Sequence, residues 1–216
     1  MESYTHLIPP DDDQSAFDRI ADMVDSIDES MERMAKEDFE AACRDIDDEK
    51  LIGSKDKFDL AGVLVGIKPV CFFSFYTTWE SDDVLLKHYI EELGLSFTRR
   101  VENNRNEPGY LSINYEVSLD KETLDAYHQA LAEAPTNDDY FAAIGYFLGY
   151  PKEAVEFFRT KEPDRVPKHE KYHMLIHSPE HVQKEFEEYE APIMAYMQKV
   201  FPRSANELRE ETGWPE

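Results

Sequence analysis

Hydrophobic residues first recur at helical spacing along this chain and then fall into short strand-like runs. The N-terminal part carries an apolar stripe at every third or fourth position, which is typical of an amphipathic helix. This stripe consists of Phe17, Ile20, Met23, Val24, Ile27, Met31 and Met34. The pattern predicts a long N-terminal helix, followed from residue 58 by a body in which strands and helices mix.

Several short runs in the body predict a small sheet. Residues 60–66 and 70–76 are apolar, and the second run is rich in β-branched and aromatic side chains. Residues 95–101 and 110–117 flank a stretch dense in Asn, Pro and Gly, which predicts a hairpin. A run at 172–177 predicts a further short strand of the same sheet.

The order of these runs predicts an α+β or α/β fold. We expect a small mixed sheet with a hairpin, covered by helices, together with the N-terminal amphipathic helix. The chain divides into an acidic N-terminal helical extension over residues 1–57, a core domain over 58–201 and a C-terminal tail over 202–216. The 41% apolar content is enough for a sizeable core.

A corner between two helices is predicted around Gly149. Glycine is free to adopt the left-handed conformation that ends a helix, and Pro151 suits the first turn of the next one. The side chains that we expect to be buried against the sheet are Phe147, Leu148, Val155 and Phe158. This corner specifies a structure and no chemistry.

Two segments resemble the uncharacterised domain-of-unknown-function family 3793. They are AGVLVGIKPVCFFSF at residues 61–75 and IGYFLGYPKEAVEFF at residues 144–158. The resemblance covers residues 58–196 and implies a similar order of helix, hairpin, closing strand and helix. The second segment is also similar to archaeal proteins with the pattern L-G-Y-P-x-C-C, but Glu153 and Ala154 stand here in place of the cysteines. Neither resemblance implies an established activity.

Charge sets this chain apart from most proteins of its size. Its 47 acidic residues outnumber 23 lysines and arginines, and the formal net charge is −24. Such a surface repels itself in dilute buffer, whereas at molar salt the screening length shrinks to about 3 Å. The composition is similar to that of cytosolic proteins from salt-accumulating haloarchaea, and an acidic mesophilic protein is the alternative.

The same charge argues against a nucleic acid partner. Phosphate binding needs clustered cations, and the longest basic run is Arg99-Arg100. We also expect no membrane contact and a cytoplasmic location, because no apolar run approaches the length of a membrane span. Cys43 and Cys71 are far apart and outside any CxxC pair, which favours buried thiols over a disulfide or zinc ribbon.

Four histidines recur at intervals of four residues near the predicted closing strand. His173, His177 and His181 are candidate ligands of a divalent metal, and His169 precedes them. Ser178-Pro179 interrupts any continuous helix, so His173 and His177 are expected on a strand, where residues four apart are about 13 Å apart. The alternative is a set of surface or half-buried histidines near a helix start.

Lys68 follows a glycine-containing apolar run in a way that superficially resembles a phosphate-binding loop. A P-loop requires Lys directly after Gly and then Ser or Thr, but Ile67 and Pro69 flank this lysine. Close backbone packing at a strand end explains the glycines better. Lys68 and Tyr150 are the candidate ligand-binding residues.

Two classes of function remain. The first is a non-catalytic binding or scaffold protein that holds a protein partner or a second copy of itself, through the N-terminal helix or the aromatic corner. The second is a small-molecule or metal-binding protein, with or without catalysis, whose site lies near Lys68, His173 and His177. The sequence favours the first class.

Overall fold

The computed structural model describes residues 36–77, 80–103, 111–160, 168–171, 174–177 and 180–213, and these form an α+β fold. The described helices are α1 (Lys36–Asp48), α2 (Ser54–Leu64), α3 (Glu80–Glu92), α4 (Lys121–Glu133), α5 (Asn137–Phe147), α6 (Lys152–Thr160), α7 (Glu180–Val200) and α8 (Pro202–Thr212). The described strands are β1 (Cys71–Thr77), β2 (Ser96–Asn103), β3 (Leu111–Ser118), β4 (Lys168–Lys171) and β5 (Met174–His177). The predicted N-terminal helix over residues 17–34 lies outside the described residues.

The main sheet has three antiparallel strands in the order β1-β3-β2. β2 and β3 pair with Phe97 opposite Val117, which confirms the predicted hairpin. β1 confirms the strand predicted at residues 70–76 and pairs with β3, with Phe73 opposite Tyr115. The sheet is therefore antiparallel throughout, and the expectation of a mixed sheet was wrong. After β1, the chain runs through α3 to β2 at the opposite edge of the sheet. The hairpin then places β3 between β2 and β1.

The apolar run at residues 60–66 forms the end of helix α2 and not a strand. Phe58, Leu60, Ala61 and Val63 are all buried, because α2 packs against β1, α7 and α8. Residues 60–64 of this helix are buried on every side and present no polar face, so their sequence lacks the period that would distinguish a helix from a buried strand. The sequence prediction failed here for that reason.

The closing strand also differs from its prediction. β5 pairs with β4 in a separate two-stranded sheet, with Lys168 opposite His177, and not with the main sheet. Pairing with the segment just before it closes only a short loop, which costs less chain entropy than reaching a distant edge.

One hydrophobic core joins α1, the main sheet, α3, α7 and α8. It extends from Phe39 to Leu208, and the rings of Phe58, Tyr115 and Phe201 are fully buried in it. The division of the chain at residues 57 and 201 stays a prediction. Among the described helices, none is both long and apolar enough to cross a membrane.

Helix α8 is held at its N-terminus by a residue from a distant part of the chain. The Asp47 carboxylate at the end of α1 accepts hydrogen bonds from the backbone N–H groups of Arg203 and Ser204, both at 2.9 Å. Lys57 Nζ in turn donates to the Asp47 carbonyl at 2.9 Å and to the Glu49 carbonyl at 2.7 Å. Because the first N–H groups of a helix have no partner within it, Asp47 serves as a cap in trans.

Candidate functional site

The predicted corner at Gly149 is confirmed in its backbone geometry. Gly149 has φ +75° and donates to the Tyr146 carbonyl, while Tyr150 donates to the Gly145 carbonyl, both at 3.0 Å. This pair of bonds is the Schellman arrangement that ends a helix. Pro151 directly precedes α6, and its carbonyl accepts from Val155 at 3.1 Å.

Burial at the corner matches its prediction only in part. Val155 is buried, and its side chain faces Gly145, where an added Cβ would lie 2.9 Å from Val155 Cγ2. Phe147 and Leu148 are only half-buried, and Phe147, the last residue of α5, packs against Tyr127. The Phe158 side chain lies outside the described part.

Helix α2 also ends at a glycine with positive φ, and the chain after it folds back so that Lys68 lies against the helix. Gly66 has φ +76° and donates to the Val63 carbonyl at 2.9 Å. The N–H groups of Ile67 and Lys68 both point at the Gly62 carbonyl, at 3.0 and 2.9 Å. The glycines before Lys68 therefore close a helix.

The two segments behind the family resemblance meet at Lys68. A Cβ at Gly62 would lie 2.6 Å from Lys68 Cδ, and one at Gly149 would lie 3.3 Å from Lys68 Cγ. The aliphatic stem of Lys68 thus occupies space that two glycines from separate segments leave open. A side chain at Gly149 would also approach the Ile67 carbonyl oxygen to 2.8 Å.

The Lys68 ammonium lies inside the protein beside a carboxylate. Its side chain is 3% exposed, and Nζ lies 2.7 Å from Asp59 Oδ1 and 6.0 Å from the centroid of the Phe58 ring. Asp59 is on α2, one turn before Gly62, so the pair fastens the returning chain onto the helix. A charge at this depth requires such a partner.

Tyr150 and Glu190 complete a group of four ionisable side chains, which we call the Lys68 cluster: Lys68, Asp59, Tyr150 and Glu190. Burial, and then the nearby carboxylates of Asp59 and Glu190, raise the pKa of the Tyr150 phenol to about 12. Glu190 is fully buried on α7, which packs against α2. The structure therefore brings both candidate ligand-binding residues, Lys68 and Tyr150, to one junction. At neutral pH Tyr150 is a phenol able to donate or accept a hydrogen bond.

The candidate metal ligands are described less fully. His177 ends β5 and His181 is the second residue of α7, while His173 lies outside the described residues. The side chains of His177 and His181 are also outside that part, so a metal site there stays a prediction. Within the described portion of the chain, no three His, Cys, Asp or Glu side chains are grouped to hold a metal ion.

The two cysteines are buried free thiols, as the sequence predicts. Burial raises the pKa of the Cys43 thiol to about 12 and that of Cys71 well above its usual value. Both thiols are therefore protonated at neutral pH and poor nucleophiles.

A second polar cluster, not predicted from the sequence, lies between α4 and the sheet. His128 Nε2 lies 2.7 Å from Glu116 Oε2 and 3.4 Å from Thr98 Oγ1, and Arg100 Nη2 lies 3.6 Å from Glu116 Oε1. A carboxylate only accepts, so Nε2 carries the proton of that bond. Alternation in β2 and β3 places Thr98, Arg100 and Glu116 on one sheet face, but only the strand register shows that they meet His128.

Two exposed aromatic rings lie next to each other on helix α5. Tyr140 is 40% exposed and Phe141 is 52% exposed, and their rings form a T-shaped pair with centroids 5.7 Å apart. We call this pair the α5 aromatic face. Sequence reasoning missed it, because Tyr140 and Phe141 continue the same apolar run as the half-buried Ile144 and Phe147.

No protein-family model, curated protein or solved structure matches this chain. The resemblance to the uncharacterised family therefore remains a proposal, carried by the two segments that meet at Lys68.

Proposed function

We propose that this protein is a non-catalytic binding or scaffold protein that holds a protein partner on the α5 aromatic face. The observation that carries the proposal is the exposure of two adjacent large rings, Tyr140 at 40% and Phe141 at 52%. Aromatic side chains are enriched in protein interfaces and account for much of the binding energy there. Contiguous exposed apolar patches often mark interaction sites, whereas single exposed apolar residues are normal.

The size of the face fits an anchor within a larger interface. A side chain of this type offers about 150–250 Å², so the exposed parts of Tyr140 and Phe141 amount to roughly 200 Å². At about 25 cal/mol per Å², covering them contributes about 5 kcal/mol before the costs of association. A stable interface covers about 800 Å² on each partner, so the flanking surfaces of α4 and α6 must also take part.

The Lys68 cluster supports the non-catalytic part of the proposal. The Lys68 side chain is 3% exposed and its ammonium is paired with Asp59 at 2.7 Å. The aliphatic stem of Lys68 fills the space beside Gly62 and Gly149, so its contacts fasten the Gly149 corner to α2. The two family-like segments thus serve the fold that holds α5 in place.

Selection of peptides from a displayed random library tests this proposal. We expect the protein to enrich binders whose affinity falls at least tenfold in the Phe141→Ser variant. The matched control is Val84→Ser, which removes a 65% exposed apolar side chain from α3. A library that yields no binders, or binders that are indifferent to Phe141→Ser, would overturn the proposal. Unchanged thermal unfolding of both variants would show that the fold is intact.

A second candidate function is favoured by the Lys68 cluster itself. Four ionisable groups converge there, since both Asp59 and Glu190 act on the pKa of Tyr150. Such convergence is common in sites that bind a small polar molecule. A native mass spectrum tests this function: a bound mass present in the wild type and lost in Lys68→Met supports it, and a bare polypeptide mass in both opposes it.

The proposal retains three expectations from the sequence. A nucleic acid partner is not expected at a net charge of −24. The acidic composition supports a cytoplasmic protein of a halophile, in which screening by salt offsets the repulsion between carboxylates. Self-association through the same aromatic face is the variant of the proposal in which the partner is a second copy.

A further inference from the structure

We infer that the partner of the α5 aromatic face presents an arginine beside an apolar side chain, as part of a basic segment. This inference rests on the proposed function and adds the chemistry of the partner to it. It draws on the charges that surround Tyr140 and Phe141 and on the position of one of them, Asp138.

The part of the chain that carries and flanks the aromatic face is strongly acidic. The stretch from the start of α4 into α6, residues 121–156, contains seven carboxylates and two lysines. Of the lysines, Lys121 lies 2.5 Å from Asp125, and Lys152 stands beside Glu153 in the first turn of α6. A partner that covers this surface with acidic residues would place like charges together, which costs specificity and affinity. A basic partner complements it.

Asp138 is placed to act together with Phe141. It is exposed in the first turn of α5 and precedes Phe141 by three residues, so the two side chains are neighbours on the helix surface. The carboxylate of Asp139, the next residue, is drawn into the helix start, where Oδ2 accepts a hydrogen bond from Thr136 Oγ1 at 2.7 Å. Asp138 is therefore the carboxylate that faces outward beside the ring.

A carboxylate beside an exposed ring matches the chemistry of arginine. The guanidinium group is planar, stacks on aromatic faces and forms two parallel bonds to a carboxylate. Phe141 is the more accessible ring, since it is 52% exposed and Tyr140 is 40% exposed. At molar salt, only charged groups in direct contact still attract each other. An arginine of the partner that stacks on Phe141 would be in direct contact with the Asp138 carboxylate.

Three synthetic helical peptides that share one leucine face and carry arginine, glutamine or glutamate on its flanks test the inference. Affinities are measured by fluorescence anisotropy at a single salt concentration, for the wild type, Phe141→Ser, Asp138→Asn and Glu122→Gln. Glu122 is an exposed carboxylate in the first turn of α4 and serves as the control for loss of one charge. Melting curves confirm that each variant is folded.

We expect the arginine peptide to bind at least tenfold more tightly than the glutamine peptide, and the glutamate peptide to bind most weakly. Asp138→Asn should reduce the arginine advantage at least fivefold, and Glu122→Gln should change it less than twofold. Equal effects of these two variants, or equal binding of the arginine and glutamine peptides, would overturn the inference. In that case, a loss of peptide affinity in Phe141→Ser would still support the proposed function. If no peptide responds to Phe141→Ser, the proposed function itself fails.

Discussion

Replacing Gly149 with alanine tests the rigidity of the junction that positions α5 and α6. Gly149 has φ +75°, and a Cβ there would lie 2.8 Å from the Ile67 carbonyl oxygen. Gly213, after α8, has nearly the same φ, +72°, but nothing lies within 4 Å of its Cβ position. The Gly213→Ala variant therefore shares the backbone strain of Gly149→Ala and lacks its close contact.

The two variants are expected to differ by the cost of that contact. A left-handed conformation costs an alanine about 1–2 kcal/mol, so Gly213→Ala should lower the free energy of unfolding by about 1 kcal/mol. Forcing a methyl group against a packed backbone costs about 1–3 kcal/mol more. Gly149→Ala should therefore lose about 2–5 kcal/mol, because the obstacle is main chain and not the end of a flexible side chain.

Urea unfolding at a fixed salt concentration measures both changes. The free energy difference follows from the shift in midpoint, provided that the slope of the transition is unchanged. We expect Gly149→Ala to lose at least about 1 kcal/mol more than Gly213→Ala. Equal losses would refute the reasoning, since they would mean that the Ile67 and Lys68 backbone gives way freely.

Three further predictions concern the helix cap, salt and pH. Asp47→Asn should destabilise the protein by about 1–2 kcal/mol in urea unfolding, because an amide retains one acceptor oxygen for two backbone donors. Asp48→Asn should change little, since Asp48 is 81% exposed and its ion pair with Arg203 is long, at 3.4 Å. The melting temperature should rise markedly between low salt and about 2 M potassium chloride, and a flat response would contradict the halophilic expectation. Burial raises the pKa of Tyr150 from 10.0 to about 12. The stabilisation from its protonated phenol is therefore complete below pH 10 and is lost as the pH rises to 12. Tyr150→Phe should remove this part of the decline in melting temperature at alkaline pH.

Much of the fold was predictable where local chemistry decides it. Gly149 ends a helix with positive φ, as the sequence predicts, and the hairpin of β2 and β3 followed from alternation and turn residues. Helix α2 was not predictable by period, because its surroundings bury every side of residues 60–64. The partner of β5 was missed because strand pairing depends on which edge is within reach, and the sequence pattern does not show that.

The candidate site was predictable only in its separate parts. Lys68 and Tyr150 were identified individually, but the fold brings them together with Asp59 and Glu190 from helices distant in sequence. The use of Asp47 as a cap for a helix that begins 155 residues later carries no sequence signal. Phe141 was missed because helical spacing alone does not show which apolar positions remain in water.

Photo-cross-linking from position 141 tests the central claim most directly. A benzophenone amino acid replaces Phe141 in one variant and Val84 in another, and each is irradiated with the tightest library-selected peptide. The proposal predicts a covalent adduct from position 141 and none from position 84, with competition by the unlabelled peptide. An adduct from position 84 alone, or from neither position although the peptide binds, would show that the α5 aromatic face is not the binding surface.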